Sequence, residues 1–167
     1  MNDDNRSKKF KNSDKKKREK PEFEQKLLDL ARVTRVVKGG RRFSFRATMV
    51  IGDRKGRVGV GVGKGSDVSN AIGKAVNDAK KGMITIDISK GTIAYDMSVK
   101  MGSAKVMIKP AKEGRGIVAG GAVRAVVDLA GIKDIVSKSL GTSNKLNVAR
   151  TTIKALKEFE TKAEIKK

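Results

Sequence analysis

The chain has 167 residues, of which 39 are Lys or Arg and 18 are Asp or Glu, giving a formal net charge of +21. It has no His, Cys or Trp, which removes imidazole bases, His or thiolate metal sites, disulfides and thiol nucleophiles. The length suits one large domain or two small ones, no apolar run approaches the ~20 residues of a membrane span, and so large a cation excess points to a polyanionic partner, nucleic acid ahead of an anionic membrane surface.

Residues 1–21 read as a disordered basic arm. The first twenty carry nine basic and four acidic residues, with Met1 and Phe10 as the apolar exceptions, too little apolar surface to offset the entropy of ordering. They also lack the apolar stretch of a secretory signal, so the chain reads as soluble and cytoplasmic. The arm holds +5 and the remainder +16, so the folding part is itself basic.

A first module is expected over residues 22–84. Phe23, Leu27, Leu28 and Leu30 suggest a short helix over residues 21–31, followed by a strand through Val33, Val36 and Val37. Phe43, Phe45, Ala47, Met49 and Ile51 alternate with mostly polar residues, which is a half-buried strand. In the next strand Val58, Val60 and Val62 share one face, and Gly59, Gly61 and Gly63 leave the other bare. A bare face lets something lie close, and this one reads as open. Ser66 or Asp67 can cap a helix whose stripe is Val68, Ala71, Ile72, Ala75, Val76 and Ala79, ending at Gly82.

A second module is expected over residues 85–160, with a tail at 161–167. It starts with alternation over residues 83–88 and continues with strands over 93–99 and 105–109, the last closed by Pro110. A nearly all-apolar helix spans residues 122–130 and stops at Gly131; Ile132, Ile135 and Val136 read as a short strand or extended turn. A last helix covers residues 146–159. The fold class is α+β: a β-β-β-α module, then a β-α-β-α module.

Two glycine runs invite a nucleotide-site reading. In Gly59 to Ser66, Gly65 separates Lys64 from Ser66 and Val58 stands where the first glycine of a P-loop belongs, so the match fails. Gly114 to Ala119 fits G-x-G-x-x-A with Asp134 twenty residues on, the outline of a dinucleotide fingerprint. The competing reading, a Gly-rich connection that permits close backbone packing, is preferred, and no cofactor is expected. The carboxylates form no evident catalytic pair or metal loop.

The basic residues say more. Lys38, Arg41 and Arg42 surround Gly39 and Gly40; Arg54, Lys55 and Arg57 surround Gly56. Both clusters read as hairpin tips that could point the same way and grip phosphates, Arg bidentately. Phe43 and Phe45 read as core, so shape and backbone recognition of duplex RNA is favoured over single-strand stacking.

The stretch from Val37-Lys38-Gly39-Gly40-Arg41-Arg42-Phe43-Ser44-Phe45 through Gly56-Arg57-Val58-Gly59 to Gly61-Val62-Gly63-Lys64 resembles bacterial small-subunit ribosomal protein five. So do Gly116-Ile117-Val118-Ala119-Gly120-Gly121, Val123-Arg124-Ala125-Val126 and Lys138-Ser139-Leu140-Gly141-Thr142-Ser143-Asn144. The resemblance covers roughly residues 22–160. It departs at Arg115 and Lys145, where the family commonly has Thr and Pro. It implies a double-stranded-RNA-binding-like first module and a non-enzymatic constituent of the small ribosomal subunit, located in the cytoplasmic ribosome. Implied partners are 16S ribosomal RNA, small-subunit proteins four and eight, and messenger RNA nearby, with roles in assembly and decoding accuracy. No membrane and no small-molecule substrate is implied. The candidate RNA-binding set is Arg32, Arg35, Lys38, Gly39, Gly40, Arg41, Arg42, Arg46, Arg54, Lys55, Arg57 and Lys64. Gly116 and Arg124 match positions that contact protein four. The rivals are a dinucleotide- or phosphate-dependent catalyst built on the Gly114 loop and a free-standing RNA chaperone.

Overall fold

The computed structural model describes residues 22–165 apart from residues 87, 89 and 90, with side chains described up to Phe159. The basic arm expected at residues 1–21 lies outside the described residues. The first sheet has the order β1-β2-β3-β4, from β1 (Glu24–Val37), β2 (Gly40–Gly52), β3 (Arg57–Gly65) and β4 (Ile84–Thr85). Helix α1 (Val68–Lys81) packs on one of its faces. The second sheet has the order β5-β6-β8-β7, from β5 (Met97–Met101), β6 (Ala104–Pro110), β7 (Ile117–Val118) and β8 (Ile135–Gly141), with helices α2 (Gly121–Ala130) and α3 (Lys145–Ile165).

The helix expected over residues 21–31 is not formed; those residues from Glu24 onward are strand. β1 pairs with β2 along its whole length, from Glu24↔Gly52 to Val37↔Gly40, and shifts register between Leu27 and Asp29. Leu28 is the extra residue of that bulge. It packs against the main core, while Leu27 and Leu30 stay largely exposed. A bulged strand breaks strict alternation, and its leucines then fall at helix-like spacing. Strand pairing overrides the local pattern.

The glycine-bare face of β3 is covered, not open. Ala71, Ala75 and Ala79 of α1 are fully buried against it. A Cβ built on Gly61 would lie 2.8 Å from Ala79 Cα and nearer still to Ala75 O and Ala79 N; one on Gly63 would lie 2.5 Å from Ala75 N. Alanines every four residues on the helix meet glycines every two on the strand, so backbone packs on backbone. Asp78 Oδ2 also accepts from the Val62 N–H at 2.9 Å, satisfying a donor on the edge strand beyond the reach of β4. The 59–66 run is therefore strand and turn, not a phosphate loop.

Residues 84–85, read as opening the second module, complete the first sheet instead, pairing Arg57↔Thr85 and Val58↔Ile84. β5 begins at Met97 rather than residue 93, and β8 extends the turn expected near Val136 to Gly141. α2 is buried on several sides and ends at Gly131, whose φ of +94° forms a left-handed cap. One core runs through both sheets: Val50 and Val58 join Val106, Ile108, Val126, Ile135 and Leu156.

Candidate nucleic-acid interface

Consecutive antiparallel strands put successive turns at opposite ends, which corrects the expectation that the two basic tips could point the same way. The Lys38–Gly39 turn begins β2 and the Asp53–Gly56 turn follows it. Thirteen residues of strand separate them, roughly 40 Å at ~3.3 Å per residue.

The two tips also differ in what they touch. The Asp53–Gly56 turn is glued to the second module: Arg54 N donates to Leu129 O at 3.0 Å and Gly56 N to Ala130 O at 2.9 Å, while Ile86 N, just past β4, donates to Gly56 O at 2.9 Å. Arg54, with a left-handed φ of 57°, pairs with Glu24 at 2.9 Å. Arg57 pairs with Asp53 at 2.7 Å and Glu22 at 3.5 Å, and lies over the Phe23 ring. Asp53 accepts from Lys55 N at 2.7 Å and Arg57 N at 3.0 Å. Burial pushes the Asp53 carboxyl up, but the bonds from the Arg57 side chain and the two backbone N–H groups outweigh it and hold it below its ordinary value. Bonding to Asp53 raises Arg57 in turn. Arg54 and Arg57 thus have acidic partners within the fold, while the Lys55 side chain is exposed.

The other tip has no acidic partner among the described residues. β3 pairs with β2 only from Phe45↔Gly65 onward, so residues 33–37 and 40–44 project as a two-stranded ribbon, with Arg32 at its base opposite Phe45. Residues 31–46 contain Arg32, Arg35, Lys38, Arg41, Arg42 and Arg46 and no acid. Directly opposed residues share a face. Arg35 faces Arg42 across the ribbon, and Arg46 faces Lys64 one strand over. These four share the face opposite α1, and Arg42 and Arg46 stand about 13 Å apart along the strand. Like charges set directly opposite are destabilising by themselves. The structure thus brings Arg35, Arg42, Arg46 and Lys64 together, with Lys38, Gly39 and Gly40 at the tip. Arg32 and Arg41 occupy the other face of the same ribbon. The sequence reading of Phe43 as core is corrected: Phe45 packs under α1, but Phe43 is 51% exposed.

Gly116 and Arg124 come to one region. Gly116 takes a φ of +76°, and its N–H donates to Asp134 Oδ1 at 2.7 Å. Asp134, the acid of the fingerprint outline, therefore fastens this loop to the start of β8. Ile117 lines a shallow depression of about 420 Å³ with Arg54, Arg124, Asp128 and Lys133. A further basic surface escaped the sequence reading. On the face of the second sheet away from the core, Lys100 opposes Lys105, while Lys138 opposes Met107 and Lys109 opposes Val136. All four lysines are exposed. Their alternation with buried Val99, Ala104, Val106, Ile108 and Ser137 was the available signal. Among the described residues, no three acids come together as a metal site.

This architecture defines a class: a basic two-module α+β protein whose projecting ribbon carries cations with no acidic partner among the described residues, suited to lie against a polyanion. Residues 23–87 match the family described as Ribosomal protein S5, N-terminal domain, and residues 99–167 match Ribosomal protein S5, C-terminal domain. Proteins named Small ribosomal subunit protein uS5 from Campylobacter jejuni, among them strains 81-176 and RM1221, are 54% identical over 135 residues. The match covers 81% of this chain and 92% of each relative. The chain belongs to the ribosomal protein S5 family. As a member it is a structural, non-enzymatic RNA-binding protein of translation, placed in the cytoplasmic ribosome.

Proposed function

We propose that this chain holds 16S ribosomal RNA in the small ribosomal subunit by gripping phosphates with the Arg35, Arg42, Arg46 and Lys64 face of its ribbon. The observation that carries the reading is the opposition of Arg35 to Arg42 on a ribbon segment with no acid. That arrangement costs stability in the free protein and becomes favourable when phosphates dock between the guanidiniums. The Lys100, Lys105 and Lys138 face adds a second set of phosphate contacts. Lys38, Gly39, Gly40, Arg41 and Arg32 complete the ribbon's contact, with Lys55 as an exposed cation at the far turn. Within the family framework, Gly116 and Arg124 face protein four, protein eight is a second neighbour, and messenger RNA passes nearby. Through these contacts the chain supports assembly and decoding accuracy.

Binding of the full chain to 16S ribosomal RNA, measured across a salt series, tests this. Each neutralised phosphate contributes about 0.7–0.9 to the slope of log K against log salt, so Arg35→Ala with Arg42→Ala should flatten it by about 1.4–1.8. The double variant should melt no lower than the parent, because a repulsive pair is removed. An unchanged slope would refute the ribbon as the phosphate grip.

A further inference from the structure

The ribbon has a second face, and phosphate binding does not explain it. Arg32, Thr34, Val36, Arg41 and Phe43 alternate onto the side opposite the Arg35–Arg42 pair. There Val36 is 74% and Phe43 51% exposed. Phe45, two residues along the same face, packs, as do Ile72 and Val76 of α1, against the cluster of Ala47, Met49, Ala71 and Ala75. The last β2–β3 pair is Phe45↔Gly65, so Phe43 stands beyond the end of β3. The Arg32 guanidinium carbon lies 4.4 Å from the centroid of the Phe43 ring. That contact orients the ring and leaves the guanidinium's N–H edge available to an acceptor.

We propose that Phe43, braced by Arg32, is a stacking platform for one unpaired nucleobase of the bound RNA. An aromatic ring kept in water at a fixed angle, between two arginines and with no acid on the ribbon, matches a ligand that is both planar and anionic. An apolar protein surface would satisfy the ring but strip water from Arg32 and Arg41 without pairing them. An RNA strand with one base turned out supplies the planar partner and the phosphates together. The ribbon then reads RNA on two sides: phosphates against the Arg35–Arg42 face, a base against Phe43. This rests on the RNA-binding reading of the ribbon and adds single-base contact to a mode otherwise governed by duplex shape.

The chain has no tryptophan, so Phe43→Trp places a single reporter at the platform. On binding a 16S ribosomal RNA fragment, its fluorescence should be quenched and its affinity kept near the parent's. Phe43→Ala should weaken binding roughly 5- to 150-fold, the range for loss of one base–aromatic stack, at every salt concentration and with the salt slope unchanged. Its melting temperature should stay at the parent's value, because the ring is outside the core. An unquenched tryptophan, parent-like binding by Phe43→Ala, or a flattened slope in Phe43→Ala would each overturn the platform. The same holds if Phe43→Ala weakens a fully paired duplex as much as an RNA with an unpaired base. If the Arg35–Arg42 variant keeps the parent slope while the tryptophan is quenched, the phosphate grip fails and the platform stands.

Discussion

Gly61→Ala puts the contact between β3 and α1 to a test of sign. In a strand interior with open space around it, replacing glycine by alanine should stabilise by about 0.5–1 kcal/mol, because the unfolded chain loses freedom. Here the new Cβ would stand 2.8 Å from Ala79 Cα and nearer to Ala75 O and Ala79 N, all backbone atoms that cannot rotate away. Ordinary contact needs 3.4 Å or more, so α1 must retreat by at least 0.6 Å at Ala79 Cα and by more at the other two atoms. A gap of that size forfeits about a quarter of the dispersion energy along the stripe. That stripe includes fully buried Ala71, Ala75 and Ala79. Overpacking of this kind costs about 1–3 kcal/mol, which in a chain of this length lowers the melting temperature by about 2–12 °C. Circular dichroism melts of the full chain supply the assay. Gly73→Ala is the control: it lies in α1 itself with nothing within 4 Å of its Cβ position, and should stabilise by about 1 kcal/mol through helix propensity. If Gly61→Ala melts at or above the parent temperature, the close backbone packing of α1 on β3 is refuted.

Asp53→Asn should lower stability at neutral pH by about 1–2 kcal/mol, because a neutral oxygen accepts the Lys55 and Arg57 N–H bonds more weakly than a carboxylate; solvent screening of exposed Arg57 keeps the loss at this level. The folded Asp53 carboxyl is held below its ordinary value, so its stabilisation is present above about pH 4 and fades as pH falls through the depressed value; melts in an acid series should show parent and variant converging there, and a constant gap would count against the Asp53 staple. Replacing Lys100, Lys105 and Lys138 together with alanine should flatten the RNA salt slope by about 2–3, at about 0.7–0.9 per phosphate, while the melting temperature holds; filter binding across a salt series reads this, and a parent-like slope would remove the second sheet from the RNA surface.

Legibility in the sequence followed the range of the interactions involved. β2, β3, α1, α2 and α3 declare themselves because their faces are set by neighbours two, three or four residues away. β1 does not, since its bulge at Leu28 answers to Met49 and Thr48 across the sheet and to a core shared with the second module. β7, two residues long, is too short for any period to register; β4 shows in the alternation over residues 83–88, but its pairing with β3 does not. The bare face of β3 was visible as a pattern, but its meaning depended on a partner helix further along the chain, with Gly63 meeting Ala71 and Gly59 meeting Ala79. The Gly59–Gly61–Gly63 run and the Ala71–Ala75–Ala79 run are complementary halves of one contact. Read separately, the first resembles an open surface and the second an ordinary amphipathic stripe.

The two basic tips show why charge clustering alone ranks candidate sites poorly. Arg54, Lys55 and Arg57 on a glycine turn make as dense a cluster as Lys38, Arg41 and Arg42. Yet among the described residues Glu22, Glu24 and Asp53 are drawn to the Asp53–Gly56 turn and no acid to the Lys38–Gly39 turn. The placement follows from the hairpin. Glu22 and Glu24 lie at the start of the β1 segment, Asp53 just after the end of β2, and antiparallel pairing brings those ends together beside the second module. The same pairing carries Arg32, Arg35, Arg41 and Arg42 to the opposite end, where no acid of the ribbon can reach them. Two unit charges about 5 Å apart repel by somewhat under 1 kcal/mol in water, so the fold tolerates Arg35 beside Arg42 in the free state. A phosphate placed between them turns that repulsion into two attractions. Antiparallel pairing thus separates arginines matched with acids beside the second module from arginines left without an acid among the described residues, although the sequence writes both with the same residue.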